Sequence, residues 1–326
     1  MNNLLCAMVA ATLAMLACVG AALAAWPDKP IRFIVPFAPG GPADVAARIV
    51  SGPLTETLGQ SVFIENRAGA GGNIGIGAVA KSDPDGYTFL VTSGAFGLNP
   101  AYFDKVPYDA IADFAPVIEI AVSPNIFVST PDSGIASIKD LVAKVRAAPD
   151  KHSYGTPGVG TQAHFAGELI KVREKIVMAH LSHQGAGPAV QSMLSGAVQI
   201  GVMGLPPVHA HIKTGKLIAL AVASAERWHD LPDVPTMLDL GYKGFVIDVN
   251  FSMFAPAKTP QDIVARMAKE ADAALKRADI KAKMTGGGFA ITALGPAALR
   301  VKTEKELAFW RDVVQQTGVK AKPAAQ

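Results

Sequence analysis

Short apolar runs alternate with amphipathic segments through most of the chain, and this alternation restricts the fold more than any other feature. Ile31–Phe37 is predicted to be a buried strand, and the apolar residues after it recur at helical spacing until Gly59 ends the helix. Pro53 inside that helix predicts a kink or a break. The same order then repeats, which indicates a parallel sheet covered by helices. The next predicted elements are strands at Ser61–Asn66 and Tyr87–Ser93, with a helix at Asn73–Ser82 between them.

The chain is predicted to cross twice between two such units. Ala115–Thr130 holds two apolar runs separated by Ser123-Pro124, and Asp248–Pro256 is a second long apolar run. Between them the alternation restarts, so we predict two α/β domains, each a mostly parallel sheet flanked by helices. Two crossings form a hinge beside a cleft, and ligands of such folds lie beyond the carboxyl ends of the strands. The predicted boundaries are 26–124 plus 251–326 for domain 1 and 125–250 for domain 2.

The second domain and the C-terminal part supply the other predicted elements. Pro260–Ile280 is an amphipathic helix with proline at its start, and a last helix covers Pro296–Gln316. The other predicted elements are strands at His152–Thr156, Val177–Leu181, Val198–Met203 and Leu217–Ser224, and helices at Ser137–Ala147, after Gly160, and at Ala186–Leu194.

The first 25 residues differ from the rest of the chain. Leu4–Ala25 contains no charged residue and ends in the small-x-small pattern Ala22-Leu23-Ala24. We therefore predict a secretory signal peptide over residues 1–25 that is cleaved on export. Two alternatives stay open. The run is nearly long enough to be an uncleaved membrane anchor, and Met15-Leu16-Ala17-Cys18 is a loose lipoprotein signal.

Cysteine content and charge exclude several classes of protein. Both cysteines, Cys6 and Cys18, lie in the predicted signal peptide, so the mature chain has no disulfide, thiolate metal site or cysteine nucleophile. Export without disulfides fits a location in the periplasm. The formal charge of +3 comes with no basic or acidic block, so we expect no nucleic-acid partner.

A corner rich in glycine and proline, Pro39-Gly40-Gly41-Pro42, joins the first predicted strand to its helix. Glycine lets a ligand approach the backbone, and a helix N-terminus offers unpaired N–H groups with partial positive charge. The corner can therefore hold a carboxylate or phosphate. The alternative is a tight turn without a ligand. Asp44 either braces this loop or accepts a hydrogen bond from a ligand amine or a bridging water.

Several segments resemble the Bug receptor family, the periplasmic solute-binding proteins of tripartite tricarboxylate transporters. The resemblance rests on WPDKPIRFIVPFAPGGPADVAARIV at the first corner and on Glu65-Asn66-Arg67-x-Gly69-x-Gly71-Gly72, and it continues through YGTPGVGTQAHFAGEL and FAPAKTPQDIVARM. It covers nearly the whole mature chain in order. It implies a two-domain Venus-flytrap fold of type II-like topology that binds small carboxylates without chemistry, metal or organic cofactor. It also implies delivery to the membrane components of a secondary transporter, and we expect a monomer.

The resemblance also implies where the ligand lies. In the family the first corner holds a carboxylate through backbone groups and ordered waters, and loops from the third strand and from a glycine-rich segment face the cleft. We expect that a dianion bridging two helix N-termini would favour the closed state, because those contacts are lost when the domains part. The positions that match are Ala38, Gly40, Gly41 and Asp44 at the corner, Ser93, Gly94 and Ala95 after the third strand, and Thr156, Gly158, Thr161, Gln162 and His164 in the second domain.

Two segments depart from the family pattern. Where the family often carries Pro-Tyr-Lys-Gly, this chain has Ser182-His183-Gln184-Gly185, so the lysine is absent and His183 replaces the aromatic residue. Where many members carry two aspartates, Val198–Gly204 has none, which argues against an amino-acid ligand and makes Met203 and Gly204 a roomier wall.

We therefore expect a bulkier, flatter carboxylate, with aromatic acids and dicarboxylates among the candidates. Phe96, Phe251 and His183 are candidate walls, and the alternative for each phenylalanine is an ordinary place in the core. Asp248, at the start of the return crossing, completes the predicted site.

Two other classes of function remain as alternatives. Gly75-Ile76-Gly77-Ala78-Val79-Ala80 fits a relaxed dinucleotide-binding pattern, but it lies within a predicted helix and lacks the acidic residue that holds a ribose, so we interpret it as helix packing. No G-x-S-x-G motif is present, and Ser93 has no evident base partner, so a hydrolase has little support. A receptor that feeds a signalling partner would have the same cleft.

Overall fold

A computed structural model describes residues 26–149 and 151–319. The predicted signal peptide, residues 1–25, lies outside the described residues, so its cleavage stays a prediction. Every helix within the described ranges is too short or too polar to cross a membrane.

Strands and helices alternate as predicted. The strands are β1 Ile31–Val35, β2 Val62–Asn66, β3 Thr88–Ser93, β4 Phe114–Ser129, β5 Ser153–Thr156, β6 Ala179–Ser182, β7 Ile200–Gly204, β8 Ile218–Val222, β9 Asp248–Pro256 and β10 Ala290–Leu294. The helices are α1 Pro42–Leu58, α2 Asn73–Ala80, α3 Ala95–Tyr102, α4 Ile138–Ala147, α5 Gln162–Glu174, α6 Ala186–Leu194, α7 His209–Lys213, α8 Gln261–Lys276, α9 Ala278–Gly286 and α10 Pro296–Thr317.

Two lobes share the long strand β4. The sheet runs in the order β2-β1-β3-β9-β4-β7-β5-β6, and β8 and β10 also pair with β4. The first part of β4 pairs with β9 and β10, whereas residues 125–129 pair with β7 and β8. Pro124, opposite Asp248, stands where β4 changes partners, and its missing N–H is tolerated at such a point. The chain therefore crosses on β4 and returns on β9, as predicted.

Each lobe contains a parallel part and an antiparallel part. The pairs β1–β2 and β1–β3 are parallel in the first lobe, and β5–β6 and β5–β7 are parallel in the second. The crossing strands make the antiparallel pairs, because β4 and β9 run in opposite directions between the lobes. Parallel strands of one lobe share a carboxyl-end edge, so the loops that follow them lie together.

The C-terminal helix α10 packs against both lobes. Its Leu299 and Leu307 belong to a core group with Phe96 and Phe254 of the first lobe. Its Trp310 lies in another group with Phe165 of α5, which also contains Leu98 and Tyr102 of α3. Buried apolar surface therefore joins the lobes in addition to the two crossing strands.

Three details differ from the predicted elements. Helix α1 continues through Pro53 without a break. The predicted helix over Pro260–Ile280 ends at Lys276 because Arg277 has an extended backbone, and α9 begins after it. Helices α3 and α7 and strand β10 were not predicted; α3 contains Pro100, α7 has only five residues, and β10 is a five-residue edge strand with a register shift.

The glycines of helix α2 are packing positions, in agreement with the interpretation of the Gly75–Ala80 pattern. A Cβ on Gly75 would lie 2.7 Å from the Arg67 carbonyl oxygen and 2.8 Å from Pro36 Cβ. A Cβ on Gly77 would lie 2.7 Å from Pro107 Cγ. The helix therefore lies directly on the loops that follow β1 and β2, and it supports the first corner from behind.

The variant Gly75→Ala is expected to lose about 2 kcal/mol or more of unfolding free energy, because backbone atoms around the new methyl group cannot rotate away. Gly52→Ala is the matched control, since Gly52 is exposed in α1 and a Cβ there meets nothing within 4 Å. It should gain up to about 1 kcal/mol. Urea denaturation measures both. Equal effects of the two changes would contradict the packing role.

Candidate functional site

The first corner is an open loop that leads directly into helix α1. Ala38, Pro39 and Gly40 are exposed, and Gly40 has a positive φ of 77° that favours glycine. Gly41 is the N-cap in an extended conformation, and no side chain caps the helix. Because Pro42 begins the first turn, its missing N–H is no loss. The corner presents uncapped backbone donors toward the edge of the sheet.

Asp44 braces this corner from inside. Its carboxylate is 1% exposed and accepts hydrogen bonds from the Gly40 N–H at 2.9 Å and from Arg48 Nε at 2.8 Å. Arg48 Nη2 donates to the second oxygen at 3.0 Å, and Asn66 Nδ2 donates to it at 2.9 Å. The same Asn66 amide donates to the Phe37 carbonyl oxygen at 3.0 Å. Four donors from the protein contact the carboxylate, so Asp44 braces the loop, which is one of the two roles expected for it.

The charge state of Asp44 follows from these contacts. Burial alone raises the pKa of Asp44, but the hydrogen bonds from Arg48, Gly40 and Asn66 outweigh it and hold the pKa below its usual value. Arg48 and Asn66 were not predicted as parts of the site. Arg48 was detectable as the i+4 partner of Asp44 on one helix face, whereas the role of Asn66 depends on the pairing of β1 with β2.

The loop after β3 contacts the other lobe. Ser93 ends the strand, Gly94 is the N-cap of α3, and Ala95 begins the helix. A Cβ on Gly94 would lie 2.4 Å from Gln162 Nε2, so the backbone of one lobe touches a side chain of the other. That Gln162 amide donates to the Asp248 carbonyl oxygen at 3.0 Å. The N-terminus of α3 therefore lies beside the first residue of α5.

The glycine-rich loop of the second lobe is fixed by its own side chains. The Thr161 hydroxyl caps α5 by accepting from the His164 N–H at 3.2 Å, and it donates to the Gly158 carbonyl oxygen at 2.8 Å. The Gly160 N–H donates to His164 Nδ1 at 3.2 Å. Thr156 is fully buried at the end of β5. The predicted members of this loop therefore lie together and are joined by hydrogen bonds.

Two histidines under this loop are stacked. The rings of His164 and His180 lie 4.0 Å apart at 18°. His180 Nε2 is 2.6 Å from the Thr156 hydroxyl, and Tyr154 donates to Glu168 at 2.5 Å beside them. His164 is 5% exposed, so it supports the loop from inside instead of lining the cleft. His180 was not predicted, because only the pairing of β5 with β6 brings it to Thr156.

Both stacked rings are uncharged at neutral pH. Burial lowers the pKa of His164, against an opposing effect of Glu168. Burial and the neighbouring His164 lower the pKa of His180 to about 4. The second-lobe loop therefore has no fixed positive charge from these side chains.

His183 and Gly185 form a further helix start in the second lobe. The His183 N–H donates to the Thr156 carbonyl oxygen at 3.1 Å, and its ring Nδ1 lies 3.2 Å from the same oxygen. Gly185, with a φ of 115°, is the N-cap of α6 and has no side-chain cap. His183 is half-buried beside the Thr156–Gly158 loop, and its place at a ligand cleft stays a prediction.

Three apolar candidates lie in the core. Met203 is 0% exposed and packs in a buried group with Ile126, so it does not provide the roomier wall that we expected. Phe96 and Phe251 are also buried in core groups, which is the alternative stated for them. Gly204, one residue further along β7, is half-buried and remains at the strand end.

Asp248 lies where β9 begins, opposite Pro124 of β4. Its carbonyl oxygen accepts the hydrogen bond from Gln162, while its carboxylate points into a buried polar group under α10. Burial raises the pKa of this carboxyl to about 7.

Two concave pockets lie elsewhere on the surface. One of about 360 Å³ lies between α1 and α9, and one of about 490 Å³ lies beside α8 and α10. Neither is lined by a predicted site residue. No group of three or more His, Cys, Asp or Glu side chains within the described ranges is arranged to hold a metal ion.

Two α/β lobes joined by crossing strands, with uncapped helix N-termini at the strand ends of both lobes, define a solute-binding protein of the Venus-flytrap type. The sequence profile described as "Tripartite tricarboxylate transporter family receptor" matches residues 46–319. The chain belongs to this family, as the resemblance implied.

Relatives and solved structures agree with this assignment. Protein BugT of Bordetella pertussis is 35% identical over 299 residues, which cover 91% of this chain and 92% of BugT. The structure of R. palustris Rpa4515 with adipate is 31% identical and has a TM-score of 0.85, covering 90% of this chain and 98% of that one. MatC (Rpa3494) from Rhodopseudomonas palustris with bound malate is 30% identical with a TM-score of 0.82, covering 89% and 100%. These structures confirm the predicted fold class.

Proposed function

We propose that this chain is a periplasmic solute-binding protein that captures a small dicarboxylate between its lobes and delivers it to the membrane components of a tripartite tricarboxylate transporter. The observation that carries the proposal is the close approach of Gly94 and Gln162, which brings the starts of one helix from each lobe side by side. An anion placed between such ends is stabilised by both lobes at once. Related proteins hold adipate and malate, which are acids of this class.

The placement of the aromatic candidates favours an aliphatic ligand. Phe96, Phe251 and Met203 are buried in the core, so three of the side chains on which an aromatic ligand depended do not line the cleft. The remaining candidate, His183, is held by the Thr156 carbonyl oxygen. We therefore narrow the expected ligand to a linear dicarboxylate.

The protein acts by binding, without catalysis. His164 accepts from the Gly160 N–H and stacks on His180, so its ring is committed to the loop and is not free to activate Ser93. We place the lobe boundaries at 124/125 and 250/251. The first is the point where β4 changes partners, and the second lies within β9, where Asn250 pairs with Val122 of β4. Monomeric state and export by a cleaved signal peptide belong to the same proposal.

A thermal-shift panel tests the ligand class. The panel contains adipate, malate, succinate, benzoate, phthalate, aspartate and glutamate. A linear dicarboxylate at a hundred times its dissociation constant should stabilise the protein by about 2.7 kcal/mol. Aromatic acids and amino acids should not. A shift caused only by amino acids would contradict the proposal, and conversion of a bound acid to product would contradict the absence of catalysis.

The variant Gly41→Leu is expected to abolish the ligand-induced shift and to leave the ligand-free melting temperature nearly unchanged. The φ of −72° at Gly41 is accessible to leucine, and a Cβ there meets only the Ala38 carbonyl oxygen at 3.3 Å. The added side chain therefore covers the corner without breaking the fold. Gly52→Leu, on the exposed side of the same helix, is the control. A variant that fails to fold would make the corner mainly structural.

A further inference from the structure

Three acidic side chains meet under α10 at the point where the lobes are joined. They are Glu119 of β4, Asp248 of β9 and Glu306 of α10, and together with Lys302 of α10 they are called the hinge acid cluster here. Because side chains alternate along a strand, Asp248, Asn250 and Ser252 share one face of β9, and Ser252 pairs with Glu119. The two crossing strands and the C-terminal helix therefore all contribute to the cluster.

Lys302 forms ion pairs with two of the three acids among the described residues. Lys302 Nζ lies 2.5 Å from Glu119 Oε2 and 4.0 Å from Glu306 Oε1. Asn250 Nδ2 donates to the other Glu306 oxygen at 3.2 Å. With every acid ionised, the cluster would carry a net charge of −2. This charge is unfavourable because Glu119 is fully buried and the Glu306 side chain is only 22% exposed.

The polar atoms of the cluster are poorly satisfied. Glu119 is 0% exposed and Ser252 is 2% exposed. Among the described residues, no hydrogen-bond partner is found for Asp248 Oδ1, Ser252 Oγ or Asn250 Oδ1. A proton on one carboxyl group would supply a donor to such acceptors and remove one buried charge.

The pKa values of two acids in the cluster also favour a bound proton. Burial raises the pKa of Asp248 to about 7; Lys302 lowers it and Glu119 raises it. Burial also raises the pKa of Glu306 to about 7, with Lys302 opposing and Glu119 and Asp248 adding to the rise. Two other elements pack on the cluster, and neither brings a charge to it. Gly97 of α3 lies beside Glu306, and the Thr292 hydroxyl of β10 donates to the Glu119 carbonyl oxygen.

The cluster adjoins the proposed ligand cleft. Gln162 Nε2 donates to the Asp248 carbonyl oxygen, and the same Gln162 side chain touches Gly94 at the start of α3. An anion bound at these helix starts would add negative charge beside Asp248 and Glu306. A nearby negative charge favours the protonated form of a carboxyl group.

We propose that the hinge acid cluster holds a proton at neutral pH and binds it more tightly when a carboxylate occupies the adjoining cleft, so that ligand capture takes up a proton. The second half rests on the proposed function. The first half concerns the ligand-free protein and is tested separately.

The ligand-free test compares urea unfolding of the parent with Glu306→Gln and Glu304→Gln between pH 5 and pH 8.5. A carboxyl group whose pKa is higher in the folded than in the unfolded protein favours folding at low pH, and this contribution is lost as pH rises to about 7. The parent should therefore lose up to about tenfold per pH unit in its folding equilibrium constant relative to Glu306→Gln. Glu304 is exposed on the same helix, and its variant should follow the parent. Identical profiles of all three proteins would overturn the proposal.

The ligand test is calorimetric titration with adipate and malate at pH 7.5, in two buffers of different ionisation enthalpy. Both probes are fully ionised at this pH, because ordinary carboxyl groups titrate near 4. The parent should take up a fraction of a proton on binding, and its dissociation constant should rise by up to about tenfold between pH 7.5 and pH 8.5. Glu306→Gln should bind with a smaller uptake, whereas Glu304→Gln should match the parent.

The outcomes separate the two proposals. Binding with no proton uptake and no pH dependence would overturn the coupling while the proposed function stands. Binding of neither probe would count against the proposed function, and the ligand-free profile alone would then decide whether the cluster holds a proton. Asp248→Asn should give the same pH profile as Glu306→Gln. Because Asp248 lies on β9 and not on α10, this result would show that the effect belongs to the cluster and not to the helix alone.

Discussion

An Asp44→Ala variant is expected to lose ligand binding and about 3 kcal/mol of unfolding free energy. The change removes an acceptor that four hydrogen bonds share and leaves the Gly40 N–H and Asn66 Nδ2 without it. Hydrogen bonds to a charged group contribute about 1.5–3 kcal/mol each, but part of this is recovered because Arg48 is half-exposed and can turn to solvent. The corner would then lose the conformation that presents its backbone donors.

The Asp44→Asn variant keeps the size of the side chain but removes its charge and one of its two acceptor oxygens, so it tests which of these properties ligand binding requires. Its amide nitrogen would face a donor on Gly40, Arg48 or Asn66, so we expect a loss of binding close to that of alanine. Arg48→Met is the control, because it removes the exposed partner and leaves the Gly40 and Asn66 contacts. Urea denaturation and calorimetry with adipate measure both properties. Unchanged affinity in Asp44→Asn would show that the brace does not shape the site.

The same brace predicts a dependence on pH. The hydrogen bonds hold the folded-state pKa of Asp44 below its ordinary value, so its contribution to stability is complete above that ordinary value. It is lost as pH falls through the lower folded-state pKa. The parent and Asp44→Ala should therefore converge in stability in acid and differ most near neutral pH.

Local chemistry made much of the fold predictable from the sequence. The crossing on β4 and the return on β9 follow from two long apolar runs, and Asp248–Pro256 has the predicted bounds. The extended backbone at Arg277 that separates α8 from α9 has no glycine or proline to mark it, so the amphipathic pattern continued across it.

The sequence predicted those parts of the candidate site in which backbone groups, and not side chains, are exposed. Proline and glycine mark the corner at Gly40 and Gly41, since their conformational limits act locally. Residues that act through tertiary contacts were not predictable. Asn66 and His180 reach the site only through strand pairing. The prediction for Met203 was wrong because the sequence does not show which face of β7 packs into the core of the lobe.

The contact between the lobes gives the second large expected effect. The Gly94→Ala variant should bind adipate at least tenfold more weakly, with a change in unfolding free energy within about 1 kcal/mol. A Cβ at this position would lie 2.4 Å from Gln162 Nε2, and Gln162 would have to turn away from the Asp248 carbonyl oxygen. The backbone of Gly94 has a φ of −57°, which alanine adopts freely, so the effect arises between the lobes and not from strain.

A double-mutant cycle with Gln162→Ala identifies this contact as the cause. Gln162→Ala removes the obstructing side chain together with one hydrogen bond, so alone it should weaken binding only a few-fold. The Gly94→Ala/Gln162→Ala double variant should bind no more weakly than Gln162→Ala, which corresponds to a coupling energy of about 1–2 kcal/mol. Calorimetry on the four proteins gives this energy. If the two single losses simply add, the lobes do not meet through this pair when the ligand is bound.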